Sequence, residues 1–211
     1  METGDFYALA VSWEPSLCCA APSWCTESGL TGASGLVPHG LWPSSILDKN
    51  RLLYCDTTGK RIDTTRKNKR ERHEWAKHGS CSGLAREFYF AEEARLMNGK
   101  EVKGLESAIF IHAVPPVAKK QSSLRSIPVE AIVRSSERQV AVKASKDCKF
   151  QELTVCFERT AKKGVVGKQI DCPNSIMRNR HTNRCAAVFL ETDSKKCSAV
   201  EEELLRSVLK R

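Results

Sequence analysis

The chain is predicted to adopt an α+β fold held together by disulfides, and three features lead there. Apolar, strand-like segments stand toward both ends, helix-forming segments cluster between them, and ten cysteines are spread along the 211 residues. A chain of this length can bury a full hydrophobic core, so the cysteines are not needed merely to make it fold. None of them forms the paired CxxC knuckles of a zinc site. Disulfides are therefore expected, and with them an oxidising compartment, secreted or lysosomal/endosomal within the secretory pathway.

Residues 1–4 read as a start or vector scar or an unstructured N-terminus, and 5–211 as one domain. The segment 6–13 (FYALAVSW) is apolar and aromatic and reads as a buried strand. Pro15 is expected to end it, followed by a cysteine-rich loop through Cys25. The segment 35–42 (GLVPHGLW) reads as a second short strand. Pro38 and Gly40 bracket His39 there, so an edge or irregular position is expected. A helix over 65–78 would be stopped by Gly79, and one over 85–98 would be capped by Gly99. A further helix is expected over 128–136, where Pro128 suits the first turn. The run 151–158 (QELTVCFE) alternates as a half-buried strand, and 185–192 (CAAVFLET) reads as another. No apolar run reaches the roughly 18 residues that span a membrane.

The formal charge of +9 favours a polyanionic partner, either nucleic acid or an acidic surface. The most informative stretch is His73-Glu74-Trp75-Ala76-Lys77-His78-Gly79. On a helix His73, Lys77, Glu74 and His78 fall at about 0°, 40°, 100° and 140°, while Trp75 and Ala76 point elsewhere. Four ionisable groups then share one face, a pattern that a solvated helix face also produces. A zinc-peptidase helix needs its histidines at i and i+4. Here they stand at i and i+5, too far apart in angle to share a metal, so no metal and no cofactor is expected. Cleavage of RNA suits the set better. The 2′-hydroxyl must lose a proton and the leaving 5′-oxygen must gain one, and histidine titrates in the right range. The phosphorane gathers negative charge that fixed cations and donors stabilise.

The pair PHGLWP (38–43) and HEWAKHGSC (73–81) resembles the two catalytic signatures of the ribonuclease T-two family, which includes acid fungal enzymes and plant self-incompatibility ribonucleases. ALAVSWEPSLC (8–18) resembles the first strand and first cysteine of that family. The run through Cys156, Cys172 and Cys185 resembles its C-terminal strands, so the likeness spans 6 to about 190. The resemblance implies an α+β fold with a central antiparallel sheet. It also implies metal-independent endonucleolytic cleavage of single-stranded RNA by transphosphorylation to 2′,3′-cyclic phosphates, with little base preference. His78 would be the base and His39 the acid. His73 would bind phosphate, Glu74 and Lys77 would stabilise the pentacovalent state, and Trp42 would line a base site. Pro38 stands where an aliphatic residue is usual and Ser44 where many members carry an acid contacting the base, which leaves base preference open.

The resemblance also selects disulfides Cys55–Cys81, Cys148–Cys185 and Cys156–Cys172. Cys18–Cys25 is read as a local bridge, with Cys19–Cys197 the remaining pair. Lys60, Arg61, Arg66, Lys67, Lys69, Arg70 and Arg72 precede the signature helix, either guiding a phosphate backbone or forming a solvated loop. Arg178, Arg180, His181 and Arg184 form a second basic cluster with no assigned role, and His112 reads as a packed histidine. A monomer acting on single-stranded RNA is expected. The competing class is a secreted signalling or host-modulating protein that uses this fold for binding or uptake through a receptor the sequence does not identify. Such a role places no demand on the catalytic side chains. A heparin-like polyanion binder would be supported by the charge alone.

Overall fold

The computed structural model describes residues 5–30, 35–46, 52–55, 69–113, 124–160, 165–177 and 185–191. In chain order its elements are β1 (Phe6–Trp13), α1 (Glu14–Ala20), α2 (Pro22–Ser28), β2 (Leu36–Ser44), α3 (Lys69–Lys77), a 3-10 turn (Gly79–Cys81), α4 (Arg86–Met97) and α5 (Lys100–Ala113). They continue with β3 (Leu124–Pro128), α6 (Val129–Arg134), β4 (Ala141–Ala144), β5 (Phe150–Arg159), β6 (Val166–Ile170), α7 (Asn174–Met177) and β7 (Ala187–Glu191). This is an α+β fold with a central antiparallel sheet.

The main sheet has five strands in the order β2-β1-β5-β4, with β6 pairing beside β4 on the same edge of β5. The period-2 alternation of β1 decides what each face holds. Tyr7, Leu9, Val11 and Trp13 enter the main core with Tyr89, Leu105 and Ile109 from α4 and α5. On the opposite face, Phe6, Ala8 and Ala10 meet Trp42, Cys156 and Ile176. The large residues thus build the core, and the alanines leave room on the face where the site forms. β3 and β7 make a second, two-stranded sheet, tied to the first by the Cys148–Cys185 disulfide and by Phe189 N–H donating to Cys148 O at 2.8 Å.

Disulfides also join Cys18–Cys25, Cys55–Cys81 and Cys156–Cys172. Cys197, and with it the expected Cys19–Cys197 bridge, lies outside the described residues, as do 1–4. Among the described residues no helix is long and apolar enough to cross a membrane.

Several expectations change. The cysteine-rich segment after Trp13 is not a loop: Pro15 and Pro22 sit in the first turns of α1 and α2, where a missing N–H costs nothing. Gly29, at φ 73°, closes α2 in the left-handed conformation. β5 is buried on both faces over 152–157 rather than half-buried, because it is a central strand covered on both sides. The expected helix over 65–78 is described over Lys69–Lys77, its earlier residues lying outside the described set.

Candidate active site

β2 is an edge strand, as its proline requires, and its irregularity falls at the first signature. Its register against β1 runs Ala10↔Gly40 and then Val11↔Pro38, so His39 is an extra residue opposite no partner. Such a bulge re-aims a side chain. His39 Nδ1 lies 2.9 Å from Glu152 Oε2 on β5, and Nε2 lies 3.9 Å from Glu74 Oε1 on α3. The outer edge of β2 is sealed by Tyr89, whose hydroxyl accepts the Leu41 N–H at 3.3 Å.

α3 brings the second signature alongside. Its ionisable arc is split by burial. Glu74 and His78 are each 1% exposed and face inward, whereas His73 is exposed and Lys77 half-buried on the outer flank. His78 N–H still donates to Glu74 O at 2.9 Å, but at φ −123° and ψ −48° the residue leaves helical geometry. The following turn depends on Gly79, since a Cβ there would strike the Trp75 ring. Trp75 packs on Tyr89 and the main core, which anchors the far side of the helix.

Trp42 stands where the two signatures meet. At 2% exposure its ring is enclosed in this structure. It is wedged between the histidines, perpendicular to His39 at 5.0 Å between centroids and tilted against His78 at 5.1 Å. Its Nε1–H donates to Glu74 Oε2 at 2.8 Å. The ring thus forms a wall between the two imidazoles. Gly40 makes the arrangement fit: a Cβ there would collide with Glu74 Oε2 and stand 2.6 Å from Trp42 Nε1.

Burial pushes the Glu74 carboxyl above its ordinary range, opposed by the charge of His39 and the Trp42 hydrogen bond. His73 moves the other way. Partial desolvation, then the cations Lys77 and His39, lower its pKa. Its ring meets the edge of Trp24 from α2 at 5.9 Å. Lys69 is ion-paired with Glu27, and Arg70 Nη1 is bound to the buried Glu93 Oε1 at 2.8 Å, fastening α3 to α4. Arg70 therefore stands on a helix and is tied to an acid rather than lying in a solvated loop. Lys60, Arg61, Arg66, Lys67, Arg178, Arg180, His181 and Arg184 lie outside the described residues, as does the side chain of His112.

His39, Glu74 and His78 are thus brought together around Trp42, with His73 and Lys77 on the outer turn of the same helix. Sequence reasoning missed Glu152 and Trp24. Glu152 gave no signal of its own, since in a half-buried strand it falls with Thr154 and Glu158 on the polar face. Among the described residues no cluster of His, Cys, Asp and Glu suits a metal ion.

No family model matches the chain. It is 31% identical over 109 residues to a protein named ribonuclease from Aeromonas hydrophila, covering 47% of this chain and 48% of that one. It is 30% identical over 115 residues to a probable ribonuclease from Haemophilus influenzae, covering 44% and 42%. The chain thus spans just under half the length of the curated relatives it matches. Among solved structures it superposes on trichomaglin, described as an S-like ribonuclease, with a TM-score of 0.56 and 18% identity, covering 80% of this chain and 91% of that one. RNase NT, solved with 5′-AMP, gives a TM-score of 0.53 at 19% identity, covering 82% and 99%. The chain therefore has the fold of the S-like ribonucleases of the T-two type.

Proposed function

We propose that the chain is a metal-independent endoribonuclease of the T-two family that cleaves single-stranded RNA by transphosphorylation, leaving 2′,3′-cyclic phosphate ends with little base preference. The observation that carries the reading is the pair of histidines on either side of Trp42, with the Glu74 carboxylate hydrogen-bonded to that ring. Two titrating groups are what the two proton transfers need, and cations or donors are what the charge of the phosphorane needs. His78 accepts the proton of the 2′-hydroxyl as the oxygen attacks phosphorus, and His39 protonates the departing 5′-oxygen. His73 and Lys77, on the open flank, face the phosphate, and Glu74 balances their charge as the phosphorane forms. His78 lies deep and His39 is 42% exposed at its side chain, so the ribose must reach inward while the leaving group stays near solvent. The disulfides suit a secretory-pathway location.

Replacing either histidine tests the roles. His39→Ala and His78→Ala are each expected to lower kcat by about 10²–10⁴-fold, with the circular dichroism spectrum unchanged. Wild-type turnover in a folded His39→Ala protein would end the reading, and because His39 is half-exposed that variant is the safer of the two for folding.

A further inference from the structure

We propose that Glu152 is a positioning residue for His39, holding the imidazole by Nδ1 and dedicating Nε2 to the reacting groups. The catalytic consequence rests on the ribonuclease reading above; the tautomer it imposes does not.

Glu152 stands on the central strand β5 at 4% exposure. Its neighbours Leu153, Val155 and Phe157 enter the main core, while Glu152, Thr154 and Cys156 alternate onto the opposite face. A carboxylate in such a place is expensive unless paired and hydrogen-bonded. His39 Nδ1, 2.9 Å away, supplies the bond.

The geometry that allows the bond is unusual. β2 and β5 are not neighbours, because β1 runs between them. Strands lie about 4.8 Å apart, so His39 and Glu152 must together bridge about 10 Å over the top of β1. The β1 residues on that face are Ala8 and Ala10, followed by Ser12 in the same alternation. A large side chain at Ala10 would stand in the path. The bulge at His39 turns its ring inward to make the crossing.

A carboxylate on Nδ1 keeps a proton there in the neutral imidazole, so the lone pair, and in the cation the transferable proton, belong to Nε2. Nε2 is the atom directed toward Glu74, at 3.9 Å. When His39 gives its Nε2 proton to the departing 5′-oxygen, the N–H bond breaks and an O–H bond forms. The ring is left neutral with Nδ1–H still bound to Glu152. No change of tautomer is then needed before Nε2 takes up its next proton. The groups that face or act on this imidazole include Glu152 from β5, Glu74 and His73 from α3, Glu93 from α4 and Trp42 from β2. Lys143 stands opposite Glu152 across the β4–β5 pair and brings a cation to the same face.

Nitrogen-15 NMR of the histidine-labelled protein decides the tautomer without reference to activity. Wild-type His39, once neutral, is expected to carry its proton on Nδ1; a neutral Nε2–H form would overturn the proposal even if RNA is cleaved. Glu152→Gln, whose amide can present N–H to Nδ1, should shift His39 toward the Nε2–H tautomer. Its kcat should fall by about 10²–10³-fold with KM within about twofold, a split that mere unfolding would not produce. Glu152→Asp, which keeps the charge, should retain more kcat than Glu152→Gln. Equal kcat in wild type and a folded Glu152→Gln, or an unshifted tautomer in it, would also overturn the proposal. If wild type cleaves no RNA, the ribonuclease reading fails while the tautomer measurement still stands.

Discussion

Burial pushes the Glu74 carboxyl above the ordinary carboxylate range, while the His39 charge and the Trp42 N–H draw it back. The sign of its effect on stability follows. Between the ordinary value of 4.5 and the raised one the folded state binds more protons than the unfolded state, so stability falls as pH rises through that window. Glu74→Gln lacks this loss. It is expected to exceed wild type by about 1 kcal/mol in urea unfolding at pH 7, with the gap closing below the ordinary carboxylate range, while cleavage drops. A variant no more stable at pH 7 would contradict the assigned electrostatics. The residues on the two signatures were legible because each signature is local: His39 with Trp42, and His73, Glu74, Lys77 and His78 within six positions. Glu152 was not, since 113 positions separate it from His39 and only the sheet joins them. The burial of Trp42 was not legible either, because it depends on α3 closing over the ring.

β2 and α3 meet where Gly40 lets the Glu74 carboxylate lie against the strand. The requirement is for space, since Gly40 is not among the glycines with positive φ. Gly40→Ala is expected to force the two elements apart, costing about 1–3 kcal/mol in thermal unfolding and most of the cleavage activity. An alanine variant with wild-type stability and rate would show that the contact is slack. The strands β1, β2, β5 and β7 were readable from apolar runs, and α4 from its helix formers and its terminal glycine. α1 and α2 are hidden in the sequence because a proline that can end a strand can equally start a helix. β3, β4 and β6 are short and gave too few residues for a period to show. α5, with Gly104 and several β-branched residues inside it, has weak intrinsic preference and owes its form to Val102, Leu105 and Ile109 in the core.

Across the molecule the disulfides join segments that the strands alone would leave loosely connected: Cys55–Cys81 pins the end of the second signature, and Cys156–Cys172 and Cys148–Cys185 fasten the C-terminal strands. The net charge of +9 remains a general attraction for polyanions, and of the basic run Lys69 and Arg70 are already paired with acids. The α+β class was legible from the order of apolar segments, whereas the strand order was not, because β5 reaches its place beside β1 through contacts distant in sequence. The central claim is a reaction, and its products test it most directly. Homopolymeric and mixed single-stranded RNAs are incubated with the protein in EDTA between pH 4 and 8, and the new ends are identified by mass spectrometry. The account predicts internal cleavage with 2′,3′-cyclic phosphate ends, undiminished by EDTA and lost in His39→Ala; intact RNA, cleavage that EDTA abolishes, or 5′-phosphate ends would contradict it.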